Sequence, residues 1–416
     1  MRETSYLCSA KKCAADCEKC NDMYKRSEYQ KIKSRLEEPR RFIQVVMGPR
    51  QVGKSTVVKQ VLADLEIPHQ LYLADNVPAT NESWISNCWA ATRSLMDGKG
   101  LDSMVLVIDE IQKIRNWSEA VKKEWDTDTY NDRNIKVLLL GSSRVLIEKG
   151  LSESLAGRYE EVRMAHWSYA EMRDCFGLTL DQYIFYGGYP GAAAFIGDDE
   201  RYFGYIESSI IDATINKDIL MNTPISKPAL LRQTFELGAA YSGQLLSLNK
   251  MVGQLQDAGN TSTLAGYLNL LGESGLVTAL HKYAIDAART KSSIPKLQVY
   301  NNALKMVYTP LTFHQALADR KVWGHIFESG VGAYLVNEAF VHRLELYYWR
   351  ERNDEVDFVL RKKGVVIAIE VKSNAEKRTE GIDRFVAQYG PERSFIVGDG
   401  GIPAEEFLML DINSLF

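Results

Sequence analysis

No stretch of the 416-residue sequence is apolar for long enough to span a membrane, which takes about 20 consecutive apolar residues. The first residues are too polar and charged for a secretory leader, so the cytoplasm is the expected location. Charge of one sign is also lacking: 50 basic against 54 acidic side chains leave a formal −4 at pH 7, with pI near 6. Global electrostatics therefore draws the chain neither to nucleic acid nor to an anionic membrane, and DNA binding would have to rest on a local patch. Cysteine is scarce, six in all, as suits a reducing compartment. Four of the six crowd the start in CSAKKCAADCEKC: Cys8, Cys13, Cys17 and Cys20. Thiolates at such spacings can hold zinc or an iron–sulfur cluster. No second ligand pair follows, so the expectation is an exposed tail. Met23 opens MYKRSEYQKIKSRLEE, which reads as a start of its own and would leave 1–22 upstream of it. Cys88 and Cys175 read as isolated, reduced thiols.

What is present is an ordinary globular composition, 45% hydrophobic and 25% charged. The chain is too long for one compact core, so two or three domains are expected. From residue 42 to about 145 it alternates strand and helix in the manner of a parallel α/β sheet. FIQVVM reads as a strand buried on both faces. STVVKQVLADL sets Val57, Val58, Val61, Leu62 and Leu65 at helical spacing. HQLYLAD, MVLVIDE and KVLLLGSS read as three further strands, with polar residues gathered at their C-terminal ends. Ligands of open α/β sheets bind at those ends.

The segment GPRQVGKST, Gly48, Pro49, Arg50, Gln51, Val52, Gly53, Lys54, Ser55 and Thr56, is a phosphate-cradling loop between strand and helix. Gly48 and Gly53 let backbone N–H groups close on a phosphate, and the following helix offers its positive end. Lys54 is expected to reach the β- and γ-phosphates of ATP, and Ser55 to ligate Mg²⁺. Asp109, after four apolar residues, is expected to hold the same Mg²⁺. Glu110 is placed to polarise the attacking water, and Ser142, at the end of the fourth strand, to sense the γ-phosphate.

Taken with VLVIDEIQKI, VLLLGSS, SLAGR and YGGYPG in this order, the loop resembles a large prokaryotic family of AAA+-type P-loop ATPases. Its members typically carry a C-terminal domain of unknown function. The resemblance runs from about Met23 to the end. It implies an α/β ATPase core, a winged-helix-like middle and a C-terminal restriction-endonuclease-like fold. The expected domains are the Cys-rich lead 1–22, the ATPase domain 23–175, a helical, winged-helix-like region 176–300 and the nuclease-like domain 301–416. Arg158 of SLAGR stands where related ATPases place an arginine facing a γ-phosphate, either within a subunit or across to a neighbour in a homo-oligomer. An ordinary surface ion pair is the competing reading of Arg158, and Arg50 and Arg144 are lesser candidates. KLQVYNNAL departs from the family by carrying Asn301 and Asn302 where relatives often have an aspartate.

The middle of the chain reads as helices ending in TSTLAGYLNLLGESG, with Thr261 as the expected cap, followed by the strand LVTALHKY. That is a winged helix-turn-helix order. The would-be recognition helix, Thr261 to Glu273, has no Lys or Arg, and basic residues supply most non-specific DNA affinity. A structural role is therefore expected of it. In YYWRERNDEVDFVLRKKGVVIAIEVKSN a hairpin sets Asp357 ahead of Glu370 and Lys372, the last two on one strand face. An earlier helix adds Glu328. This is the ligand set of a Mg²⁺-dependent nuclease of the restriction-endonuclease type, which the resemblance also implies, and it would take a second divalent metal. RKKG, Lys377 and Arg378 are the basic residues nearby. A solvated strand face is the competing reading. The expected function is ATP binding and hydrolysis, with a C-terminal region that engages DNA or another partner. An ATP-gated nuclease and a nucleotide-switched regulatory module are the alternatives.

Overall fold

The computed structural model describes residues 24–416 apart from 143–146, 148–149, 152–153, 256–258, 287–289, 291–292 and 374–379. The cysteines Cys8, Cys13, Cys17 and Cys20, and the basic residues Arg144, Lys377 and Arg378, lie outside the described residues. The chain divides into two compact units between Met164 and Ala165, eleven residues before the border expected at 175/176.

The first unit is built on β1 (Ile43–Met47), β2 (His69–Leu73), β3 (Met104–Asp109), β4 (Ile135–Gly141) and β5 (Tyr159–Arg163). They lie in the order β2-β3-β4-β1-β5, and every neighbouring pair is parallel. Side chains alternate between faces along each strand, and here both faces are covered. Ile43, Val45, Leu106, Ile108, Val137 and Leu139 pack on Ile85 and Trp89 of α3 (Ser83–Lys99) and Val121 and Trp125 of α4 (Trp117–Tyr130). Val46, Val105, Val107, Leu138 and Leu140 pack on Ile32 and Leu36 of α1 (Glu28–Glu37) and Val57, Val58 and Val61 of α2 (Lys54–Ala63). The unbroken apolar runs of β1, β3 and β4 follow from this: a strand covered twice has no polar face. The edges differ. In β2 Leu71 and Leu73 are exposed, and β5, YEEVR, buries only Val162, which is why its sequence does not announce a strand. Cys88, buried in α3, has its thiol pushed up to about 12 by burial, so it is an inert core residue.

The second unit holds a mixed six-stranded sheet in the order β11-β10-β9-β8-β6-β7. Its strands are β6 (Val277–Lys282), β7 (Lys296–Val299), β8 (Glu345–Glu351), β9 (Asp354–Lys362), β10 (Val365–Lys372) and β11 (Arg393–Gly398). The pairs β6–β7, β8–β9 and β9–β10 are antiparallel, and β6–β8 and β10–β11 parallel. β6 and β7 precede residue 300 and the other four strands follow it, so one sheet crosses the border expected at 300/301. Ahead of β6 come α5 (Pro228–Ala240), α6 (Leu248–Gln254) and α7 (Thr261–Glu273). The cap of α7 is Asn260, whose side chain accepts from the Thr263 N–H at 2.9 Å, so Thr261 is the first helical residue rather than the cap. The long α8 (Arg320–His342) lies against β7, β8, β9 and β10, and α9 (Glu380–Tyr389) against β9 and β10.

Asn301 and Asn302 are structural fasteners, each almost fully buried. Asn301 Oδ1 accepts from the Gly188 N–H at 3.2 Å, which ties it to the YGGYPG segment. Asn302 Nδ2 donates to the Ile184 carbonyl at 2.5 Å and the Ile326 carbonyl at 3.0 Å, while its Oδ1 accepts from Ser329 at 2.7 Å. An aspartate could not donate to those two carbonyls. Asn302→Ala removes three buried hydrogen bonds at once, and thermal or denaturant unfolding is expected to show a loss of at least ~2 kcal/mol in the second unit. A loss below about 0.5 kcal/mol would mean that water replaces the side chain there.

Candidate nucleotide site

Because β1 lies beside β4 and β4 beside β3, the C-terminal ends of these three strands stand together. The sequence places its polar residues at those ends. β1 stops at Met47 and α2 begins at Lys54, and two glycines make the loop between them possible. A Cβ on Gly48 would stand 2.1 Å from the Met164 carbonyl oxygen. Gly53 has φ 91° and is the residue before the helix, a conformation other residues rarely adopt. Having no side chain, it leaves the first turn of α2 uncovered, so the helix directs its amides and positive end at the loop. Gln51 is also left-handed, with φ 58°. Buried Arg26 steadies the loop from outside, its Nη1 donating to the Val52 carbonyl at 3.0 Å. Thr56 is exposed on α2.

Lys54 is buried, and its Nζ donates to the Gly48 and Pro49 carbonyls at 2.8 and 2.7 Å. The ammonium is thus folded back on its own loop. One residue on, Ser55 Oγ donates to Asp109 Oδ2 at 2.8 Å. Burial raises the Asp109 carboxyl above its usual range, with the Glu110 charge adding to the shift; the Ser55 hydrogen bond and the Lys54 charge oppose it. Glu110 adopts φ 56°, uncommon outside glycine, and its N–H donates to Asp109 Oδ1 at 2.9 Å. Its carboxylate is clamped: Oε2 accepts from Gln112 Nε2 at 2.5 Å and from Ser142 Oγ at 2.9 Å. Lys54, Ser55, Asp109, Glu110 and Ser142 are therefore brought together. Gln112 and Arg26 are additions that spacing alone does not mark, although Gln112 follows Glu110 by two residues in DEIQ.

The donor set fits a hydrated Mg²⁺ beside a polyphosphate: Ser55 and Asp109 offer adjacent hard oxygens, and Lys54 adds a cation whose Nζ rests on the Gly48 and Pro49 carbonyls. Arg158 is elsewhere. Its carbonyl accepts from the Ile43 N–H at 2.8 Å, which sets it at the start of β1 while the loop follows the end, about 13 Å along the strand. Its guanidinium forms a two-point pair with Asp126 of α4, at 2.8 and 3.0 Å. Arg158 is therefore remote from residues 48–56 of its own chain.

The C-terminal carboxylates also converge, with an addition. Continuing the β9–β10 register sets Asp357 opposite Glu370. Asp357 Oδ2 accepts from the Val371 N–H at 2.8 Å, and Glu370 Oε1 from Lys372 Nζ at 2.6 Å. Fully buried Lys296 of β7 places Nζ 2.6 Å from Glu328 Oε1, 3.5 Å from Asp357 Oδ1 and 3.8 Å from Glu355 Oε1. Burial works to lower the Lys296 pKa, but the charges of Glu328, Asp357 and Glu355 outweigh it and raise the pKa, so the lysine stays charged. Burial, then the charge of Asp357, pushes both Glu328 and Glu370 up to about 7. No three of these carboxylates bring ligand oxygens within 4.8 Å of one another. Among the described residues the group that does so is Glu338, His342 and Asp411. The expected second metal at Asp357, Glu370 and Glu328 is thus not supported, because an ammonium stands among the ligands.

Residues 40–173 match the family model of an AAA domain; residues 177–314 and 323–406 match two domains of unknown function (DUF8612 and DUF4143). An uncharacterised protein of Haemophilus influenzae is 22% identical over 369 residues, covering 83% of this chain and 86% of that protein. One of Methanocaldococcus jannaschii is 21% identical over 305 residues, covering 68% and 65%. Among solved structures, the Aeropyrum pernix Orc1 protein in complex with DNA is similar at TM-score 0.34 and 13% identity, covering 70% of this chain and 93% of that one. Thermotoga maritima RuvB follows at 0.33 and 14%, covering 60% and 85%. Likenesses at that level say nothing of ligand or partner. No helix among the described residues is long and apolar enough to cross a membrane.

The contact behind Gly48 gives a test that needs no nucleotide. Gly48→Ala drives a methyl group into the Met164 carbonyl, and the loop must shift. Thermal unfolding of the free protein is expected to show a destabilisation of ~1–3 kcal/mol; an unchanged midpoint would mean that the loop relaxes at no cost.

Proposed function

We propose that this chain, a member of the AAA+ P-loop ATPase family through residues 40–173, binds ATP with Mg²⁺ at the ends of β1, β3 and β4 and hydrolyses it. The observation that carries the reading is the clamped Glu110 carboxylate, held by Gln112 and Ser142 beside the Ser55–Asp109 pair. On binding, Lys54 exchanges the Gly48 and Pro49 carbonyls for β- and γ-phosphate oxygens, trading neutral partners for charged ones. Arg50, Gln51, Val52, Gly53 and Thr56 line the loop and helix start around the phosphates. Ser55 and Asp109 would hold Mg²⁺, which when bound neutralises phosphate charge. Glu110 takes the proton of the attacking water. Gln112 and Ser142 fix its orientation, and through that bond Ser142 registers loss of the γ-phosphate.

For the output we favour a nucleotide-switched module over a nuclease or a DNA-driven motor. In α7 the exposed residues are Ser262, Gly266 and Asn269, with no basic group to neutralise a phosphate. The order α5, α6, α7, then the β6–β7 hairpin, is winged-helix-like, and its charge suits packing against protein better than DNA. A homo-oligomer in which Arg158 serves a neighbour's phosphates would account for a residue about 13 Å from its own loop by strand length.

Lys54→Ala is expected to abolish ATP binding, measured by calorimetry or fluorescent-nucleotide titration. Glu110→Gln is expected to bind ATP normally and turn over about 100-fold more slowly. Wild-type turnover in that variant would move the base to another carboxylate. For Arg158, mixing Arg158→Ala with Lys54→Ala protein separates the two readings. Each subunit retains what the other lacks, so a shared site regains part of the wild-type rate. No regain at high protein concentration would leave Arg158 as a surface partner of Asp126, worth at most ~1 kcal/mol.

A further inference from the structure

The restriction-endonuclease resemblance implies a divalent ion held by Asp357 and Glu370, with Glu328 and Lys372 beside them. The side chains present do not fit one. Mg²⁺ and Mn²⁺ take about six oxygens in near-octahedral array, and almost every carboxylate oxygen here is spent. Asp357 Oδ2 is held by the Val371 N–H, Glu370 Oε1 by Lys372, and Glu355 Oε2 lies 3.6 Å from Arg350. Glu328 Oε1, Asp357 Oδ1 and Glu355 Oε1 all face Lys296 Nζ. Of the cluster's oxygens, Glu370 Oε2 is buried without a hydrogen-bond partner, and that atom together with Glu328 Oε2, which none of these cations faces, falls well short of the oxygens a hard cation takes. The ammonium is itself fully engaged. Beyond the carboxylates it donates to the Asp357 backbone carbonyl at 3.2 Å and stands 4.6 Å from the centre of the Phe358 ring.

We infer that Lys296 is the resident cation of this cluster, standing where the resemblance would place a metal ion, so that the wild-type chain binds no divalent ion there and cuts no nucleic acid through it. The lysine comes from the β6–β7 hairpin, whereas its partners come from α8 and β9. The fold itself therefore delivers the charge, and no solute is needed. Four carboxylates (Glu328, Glu355, Asp357, Glu370) face three cations (Lys296, Lys372, Arg350). The remaining imbalance is small enough for a shared proton, and a divalent ion added beside Lys296 would meet a like charge at contact distance.

Nucleotide-free, full-length protein titrated with Mn²⁺, with bound ion counted by electron paramagnetic resonance, tests this apart from any ATPase activity. In the wild-type background Asp357→Asn should leave Mn²⁺ binding unchanged. Lys296→Ala should gain one Mn²⁺ per chain, bound at least about tenfold more tightly than any ion the wild type takes at these residues, and Lys296→Ala with Asp357→Asn should lose it. Ions held elsewhere, at Glu338, His342 and Asp411 for instance, survive Asp357→Asn and are subtracted. Lys296→Met keeps the apolar stem without the charge and covers a poorly folding alanine variant. Either variant should melt at lower temperature than wild type and be raised by Mn²⁺, which leaves the wild-type midpoint where it is. Mn²⁺ bound by wild type and lost on Asp357→Asn overturns the inference. So does failure of both lysine variants to gain Mn²⁺ in binding and in melting.

Discussion

A buried ammonium group must be surrounded by oxygen, and which oxygens it finds separates the two charged sites of this protein. Five lysines are buried among the described residues: Lys54, Lys136, Lys296, Lys305 and Lys372. Lys136 and Lys305 end on backbone carbonyls, and burial pulls their pKa values down, that of Lys305 to about 8. Neutral partners do not repay the lost hydration of a charge. Lys54 also donates to backbone carbonyls, those of Gly48 and Pro49, and it does so at the first residue of a helix. Lys296 ends on carboxylates and its charge is reinforced. Lys296 is thus already matched by carboxylates within its own fold.

The parallel sheet accounts for where Lys54 lies. Covering β1, β3 and β4 on both faces leaves their ends as the outlet for polar chemistry. β4, packed between β1 and β3, brings a loop, a carboxylate pair and a hydroxyl within hydrogen-bond reach. The price appears at Glu110, a non-glycine residue at φ 56°. Such a conformation costs of order 1 kcal/mol and persists because Asp109 holds the Glu110 amide while Gln112 and Ser142 hold its carboxylate.

Much of this was legible in sequence because it is local. Gly48 to Thr56 is one contiguous loop, and Asp109, Glu110 and Ser142 close apolar strands, so spacing alone puts them at strand ends. Glu370 and Lys372 share a strand, and alternation places them together, as the 2.6 Å contact bears out. What spacing does not carry is pairing between distant segments. β5 hides because an edge strand with one buried residue, Val162, has a charged sequence. Arg158 closes SLAGR a short segment after β4, yet parallel pairing of β5 with β1 sends it to the far end of the sheet. Lys296 lies 61 residues from Asp357, and nothing in KLQVY says which carboxylates it will meet. A lysine opening a short, otherwise uncharged strand was the available signal, since a charge has no place in a buried strand without a partner.

The cluster around Lys296 also explains why residue 300 is no structural border. Burying an ion pair is weak evidence of stability, because desolvation cancels most of the attraction, while losing one partner is strongly destabilising. Such a group therefore acts on specificity: it penalises any arrangement in which its members do not meet. Here the members come from β7, α8, β8, β9 and β10. If the β6–β7 hairpin moved off the sheet, Lys296 would be drawn from Glu328 and Asp357, leaving buried carboxylates unpaired. The Asn302 bonds to Ile184, Ile326 and Ser329 impose the same condition with neutral groups. The hairpin and the strands after it are thereby held as one sheet, and a partner bound anywhere on the second unit would meet a body that resists coming apart at its middle.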